Sequence, residues 1–156
     1  MPTNELEVVS QRVDVGSGAS VTVYGFYMVP PDLESLAEVL RRKAGSEVPQ
    51  ILRVRIDCEV TRLAPGGCVT HGELRIIDCG GGEVTALTIE IPPESNAFTD
   101  SVDVTEHFTK CGAGVPLGIN AVKVVMEPAY VVGPMGIQYV SASYYVRVKV
   151  FFSWGW

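Results

Sequence analysis

Hydrophobic residues recur at every second position through most of the chain. The cleanest run is Ile51 to Thr61, where Leu52, Val54, Ile56, Cys58 and Val60 alternate with Arg53, Arg55, Asp57, Glu59 and Thr61. A period of two sends alternate side chains to opposite faces, so this run predicts a strand with one buried and one charged face. Similar runs occupy Gly72–Cys79, Glu83–Ile91 and Gly118–Met126. In the last of these Val122, Val124 and Met126 oppose Lys123 and Glu127. From about Val140 to Trp154, one face carries Val146, Val148, Val150, Phe152 and Trp154. The other carries Tyr145, Arg147, Lys149 and Phe151. Val21–Val29 differs, because Val21, Val23, Tyr27 and Val29 lie opposite Thr22, Tyr24, Phe26 and Met28. Both of its faces are apolar, which predicts cover on both sides or a place at a subunit contact.

Glycine- and proline-rich turns separate these runs: Gly16-Ser17-Gly18, Ala64–Gly67, Gly80–Gly82, Pro92-Pro93 and Gly133–Gly136. One segment alone has helical spacing. Leu33, Leu36, Ala37 and Leu40 fall at i, i+3, i+4 and i+7 after Pro30-Pro31-Asp32, and Gly45 closes the run. Acidic residues start it and Arg41-Arg42-Lys43 end it, as the helix dipole prefers. A helix is therefore expected over about 32–44, its stripe turned toward the core as a cap on one end of the sandwich, with a partner-binding helix as the alternative. Eight or nine strands with one inserted helix predict an all-β chain, a jelly-roll-like antiparallel β-sandwich. Residues 16–156 form one domain in this reading. Residues 1–15 are an N-terminal arm or first edge strand, and an arm of this kind can add a strand to a neighbour.

Composition sharpens the picture. The chain has 156 residues, of which 19% are charged, and its mean hydropathy is +0.23. No run of roughly 18 apolar residues occurs, which argues against a membrane-spanning helix. The apolar excess must then lie in the core or between subunits. A net charge of −6 argues against nucleic acid as a partner, since such binders carry a basic face. Met1–Glu5 has no secretory pattern. The expected location is a virion or an extracellular assembly, with the cytoplasm as the alternative.

Asp103-Val104-Thr105, a loop, and Gly118-Ile119-Asn120-Ala121-Val122-Lys123-Val124 resemble the closing half of galactose-binding-like jelly rolls, found as carbohydrate-binding modules. The resemblance spans about a third of the chain. It implies jelly-roll topology and structural roles for Asp103 and Thr105: Asp103 accepting from loop amides, Thr105 capping the turn. It does not carry sugar binding in these residues, and fold does not choose function.

The reactive inventory is short. Cys58, Cys79, Cys68 and Cys111 are disulfide candidates with three possible pairings, and Cys58 and Cys79 either pair across or within the sandwich or remain packed thiols. Such bonds suit an extracellular particle or a hyperthermophile. Cys68-x-x-His71 and His107-x-x-x-Cys111 make a tetrahedral zinc site only if their two loops converge. Glu94, Asp100 and Asp103 are calcium candidates, although loop carboxylates are more often merely solvated. Tyr24, Phe26, Tyr139, Tyr144, Tyr145, Trp154 and Trp156 are candidates for a subunit seam or a sugar platform, with core packing the plainer explanation. No ordered nucleophile motif and no phosphate loop is present. The expectation is a non-enzymatic subunit without an obligatory cofactor, partnered by copies of itself in a shell or filament. A carbohydrate-binding module is the alternative.

Overall fold

The structure is a computed structural model and describes residues 3–45, 50–110 and 118–155. Alternation becomes strand wherever it was sustained. The strands are β1 (Thr3–Val15), β2 (Val21–Val29), β3 (Gln50–Ala64), β4 (Thr70–Ile77) and β5 (Glu83–Ile91). They continue with β6 (Ala97–Asp103), β7 (Gly118–Met126), β8 (Ala129–Gly133), β9 (Gly136–Val140) and β10 (Ala142–Gly155). The helices are α1 (Leu33–Ala44) and α2 (Thr105–Thr109). One antiparallel sheet has the order β1-β10-β3-β6 and the other β2-β7-β4-β5, while β8 and β9 form a separate hairpin. Apart from the β4–β5 and β8–β9 hairpins, consecutive strands leave one sheet and return beside earlier strands. This is the double Greek key of an eight-stranded jelly roll. The strand total exceeds the eight or nine expected, because the apolar stretch after Met126 folds back on itself as β8–β9. Residues 3–15 form an edge strand, paired along β10 from Thr3↔Ser153 to Val15↔Ala142.

The core lies between the sheets. Tyr144, Val146, Val148, Val150, Phe152 and Trp154 of β10 are buried beside Val54, Ile56, Cys58 and Val60 of β3. Across from them lie Leu74, Ile76, Ile89, Ile91, Val122, Val124 and Met126, all buried. The outward set of the first sheet is a lattice of ion pairs. Arg147 meets Glu7 at 3.2 Å, Lys149 meets Glu5 at 3.3 Å and Arg55 meets Asp57 at 3.2 Å. Each such exposed pair adds little stability, but together they make this face polar.

The termini of α1 follow the sequence. Asp32 Oδ1 accepts from the Ser35 amide at 2.8 Å, and Gly45 caps the other end through the Lys43 carbonyl. Its buried face does not follow. Val39 is the residue buried, Leu36 is half-buried, and Leu33 and Leu40 are exposed, Leu33 at 84%. The Leu33–Leu40 stripe is thus turned outward, a correction to the expectation that it faces the core. Helix α2 replaces an expected polar turn. Asp103 Oδ1 accepts from the Thr105 amide at 3.0 Å, and the Thr105 hydroxyl accepts from the Val54 amide at 2.9 Å. Asp103 thus accepts from a loop amide as expected, whereas Thr105 ties α2 to β3 instead of capping the turn. Phe108 pins the short helix to the core.

The inward phase of β3 ends on a charge. After Val60 the next inward residue is Arg62, which is buried. Its Nη1 donates to the Ser95 carbonyl at 2.6 Å, and its Nη2 to the carbonyls of Cys68 at 2.6 Å and Ile91 at 3.0 Å. One guanidinium thus ties the β3–β4 and β5–β6 turns, which lie at one end of the sandwich. Thr70 joins this cluster and bonds the Tyr144 hydroxyl at 2.6 Å. Exchanging Arg62 for methionine strips two buried carbonyls and one half-buried carbonyl of this donor. Arg62→Met is expected to cost about 2–4 kcal/mol in denaturant unfolding. Steric room gives a second expectation. A Cβ on Gly25 of β2 meets the Val8 carbonyl oxygen and Val9 Cγ2, both at 2.7 Å, whereas Gly18 has open space around it. Gly25→Ala should therefore lower the unfolding free energy by about 1–3 kcal/mol, with Gly18→Ala close to neutral in the same assay.

Candidate functional site

The outer face of the second sheet is divided. Toward β4 and β5 it is charged and internally paired: Lys123 meets Glu83 at 2.6 Å, Arg75 meets Glu83 at 3.3 Å, and Arg75 also pairs with Glu73. Toward β2 it is apolar. Tyr24, Phe26 and Met28 point outward, opposite Lys123, Ala121 and Ile119 of β7 in the ladder. Phe26 is 62% exposed and Ile119 74%. The Tyr24 and Phe26 rings stack with centroids 6.2 Å apart and planes 12° apart. Lys123 Nζ lies 5.7 Å from the Tyr24 ring, so the nearest charge is drawn back over the aromatic rather than out over the row. Beside Phe26 and Ile119 is a shallow hollow of about 290 Å³, reached also by Ile77, Asp78, Cys79 and Ala121.

A polar brace holds this end of the sandwich. Asp78 follows β4 and is little exposed. Its Oδ1 accepts from the amides of Gly80 at 3.0 Å and Gly82 at 2.9 Å. Its Oδ2 pairs with Lys110 Nζ, just past α2, at 2.8 Å. The Lys110 hydrogen bond first, then the Gly82 amide, hold the Asp78 carboxyl below the usual range despite its partial desolvation.

The sequence-predicted site residues disperse. Cys58 is a free thiol facing the core. Burial first, then the charges of Asp100 and Glu59, push it up to about 12, so it stays protonated and unreactive. Of the disulfide and the packed thiol open to Cys58, the structure shows the thiol. Cys68 is also free and buried. Cys79 is disulfide-bonded, and Cys111 and Trp156 lie outside the described residues. His71 sits at the start of β4, whereas His107 in α2 lies beside Cys79 just beyond the end of β4, its carbonyl 3.5 Å from the sulfur. The strand therefore separates His71 from His107. Among the described residues no three His, Cys, Asp or Glu side chains cluster as metal ligands.

The calcium candidates are likewise apart. Glu94 is exposed in the β5–β6 turn, Asp100 pairs with Cys58 in the ladder, and Asp103 is engaged by Thr105 and by Arg53 at 3.4 Å. Of the aromatics, Tyr144 and Trp154 are buried in the chain's own core, which removes them from any seam or sugar platform. Tyr145 lies on the charged face and bonds Ser10 at 2.7 Å. Tyr24, Phe26 and Tyr139 are exposed as well. Sequence reasoning missed Ile119 and Ile77 as parts of the apolar row. Ile119 shares the outward phase of Lys123, which is the signal that finds it.

No family model matches the chain, and no curated protein does. Solved structures do. VP2 of infectious bursal disease virus, in a subviral particle, is similar over 96% of this chain and 32% of that one, at 11% identity and a TM-score of 0.46. The Gt strain of the same virus gives 97% and 32%, 12% identity and a TM-score of 0.46. A protein from Parabacteroides distasonis gives 86% and 38%, 12% identity and a TM-score of 0.39. The chain spans about a third of the length of the viral chains it matches. Likeness at this level defines neither a family nor a function. With no matching family model, the galactose-binding part of the resemblance gains no support.

The Asp78 brace gives a pH dependence. Its folded carboxyl sits below the value of a free aspartate, near 4. Its stabilisation is therefore full above that value and is lost as pH falls through the lowered one. Carboxyl-resolved NMR should show Asp78 titrating late in acid. Lys110→Met should move its midpoint upward, with faster amide exchange at Gly80 and Gly82.

Proposed function

We propose that the chain is a non-enzymatic structural subunit that packs against copies of itself in a shell or filament. The observation that carries this reading is the outward row of Tyr24, Phe26, Met28 and Ile119. In water the row is unfavourable; each large side chain fully covered contributes roughly 1.5–3 kcal/mol. No unpaired charge interrupts it, so covering it strands no ion. A second apolar surface lies at the other end of the second sheet, on the β8–β9 hairpin. There Val132 pairs with Ile137 in the ladder, and Met135 at the tip is 100% exposed. One self-complementary patch closes a two-fold dimer, whereas two separate patches let contacts propagate from copy to copy. The pairing of β1 along its own β10 argues against the first fifteen residues as the connecting device.

A carbohydrate-binding module is the second reading, favoured by the near-coplanar Tyr24–Phe26 pair. Met28 and Ile119 weigh against it, because they extend the same surface while offering neither a ring face nor a hydrogen bond. The test is light scattering with negative-stain imaging. The wild-type chain is expected to form defined assemblies, and Phe26→Glu with Ile119→Glu to give monomers that still unfold cooperatively, since both side chains are exposed, with a melting midpoint lowered only by the lost contribution of assembly. A wild type that stays monomeric at high micromolar concentration sinks the reading. A monomer whose mobility is retarded in an oligosaccharide-loaded gel replaces it with the second.

A further inference from the structure

The end of the sandwich bearing the hairpin holds a hollow of about 400 Å³ between the β1–β2 turn and the hairpin. Tyr130 of β8 and Tyr139 of β9 face each other in the ladder. Their ring centroids are 6.1 Å apart and their planes meet at 72°, so they form two walls of a corner rather than a platform. Behind Tyr130, His71 stacks at 5.7 Å and its Nε2 lies 3.1 Å from the Tyr130 hydroxyl, which fixes the first wall. Reciprocal backbone bonds between Val69 and Tyr130, at 2.7 and 3.1 Å, anchor the strand that carries it. Glu127 closes the corner, its amide donating to the His71 carbonyl at 2.9 Å. No Lys or Arg is among the described residues that line the hollow.

We propose that this corner binds an organic ammonium group, methylated or quaternary. Ring faces attract a cation through their quadrupole, and walls set near a right angle enclose a compact tetrahedral head. Glu127 supplies the counter-charge, and His71, which also lines the hollow, is engaged with the Tyr130 hydroxyl. A saccharide asks for different chemistry: a flat ring platform with several converging donors and acceptors. Here the rings are crossed, and Glu127 is the single formal charge. The group can belong to a choline head or to a methylated lysine side chain, and both present the same chemistry to the corner.

Amide-resolved NMR of the full chain tests the site. The probes are choline chloride, free trimethyllysine, the neutral isostere of choline bearing a tert-butyl group, a methyl hexoside, and sodium chloride at matched ionic strength. Choline, trimethyllysine or both should shift Ser17, Gly18, Tyr130 and Tyr139 saturably, and whichever binds more tightly names the source. The neutral isostere should bind about tenfold more weakly. Tyr139→Leu and Glu127→Gln should each weaken binding about threefold to tenfold, with amide dispersion showing that the exposed substitutions leave the fold intact. Equal binding of the isostere, shifts produced by the hexoside alone, no shift with either ammonium, or unchanged affinity in both variants overturns the proposal. Glu127 lies outside both apolar patches. A Glu127→Gln chain that assembles normally but loses the ammonium therefore separates this site from the assembly reading.

Discussion

The architecture depends on the placement of β10 between β1 and β3. It is the fourteen-residue strand that pairs on both edges over nearly its whole length, and its inward side chains form the floor of the core. The residues it joins are far apart in sequence, so the first sheet forms only when remote segments meet. Such pairings cost chain entropy before they yield contacts, which makes folding slow and the unpaired intermediate prone to association. The ladder also sets the phase of everything outward. With valines, Tyr144, Phe152 and Trp154 committed to the interior, the arginines, lysines and carboxylates of the three strands meet on the opposite face and neutralise one another.

The two outer faces of the sandwich consequently differ in kind. The first sheet presents a charge lattice that water solvates as readily as a partner does. The second gathers its charges around Glu83 and leaves the β2 margin bare. An edge strand with a stacked aromatic pair is an aggregation hazard when left open, and the chain does not blunt it with an outward lysine or proline. Lys123, the nearest candidate, is held over Tyr24 and by Glu83. That choice of surface, rather than the fold, is what supports a self-associating role, since jelly rolls serve many purposes.

Much of the fold was legible because the two faces of most strands differ sharply in polarity. β3, β7 and β10 could be read residue by residue, and Asp32 and Gly45 marked the ends of α1. The buried face of α1 was not legible, because four apolar positions fit a stripe while the contact that decides the matter is made by Val39. Helix α2 is too short for any periodic signal. Arg62 shows two rules in conflict: its phase points inward and its charge argues outward, and the carbonyls that resolve the conflict come from turns remote in sequence. The candidate site was half legible. Tyr24 and Phe26 stood out on an apolar strand, whereas Ile119 hid behind Gly118. The separation of His71 from His107 is a matter of topology, which spacing alone does not reveal.

The two ends of the sandwich are fastened by different chemistry. At one end the Arg62 guanidinium grips backbone carbonyls, which carry no titratable proton. At the other the clasp is a carboxylate, Asp78, which acid protonates. A fall in pH therefore reaches the molecule unevenly: the rim with the tyrosine corner stays latched while the rim beside Phe26 is released first.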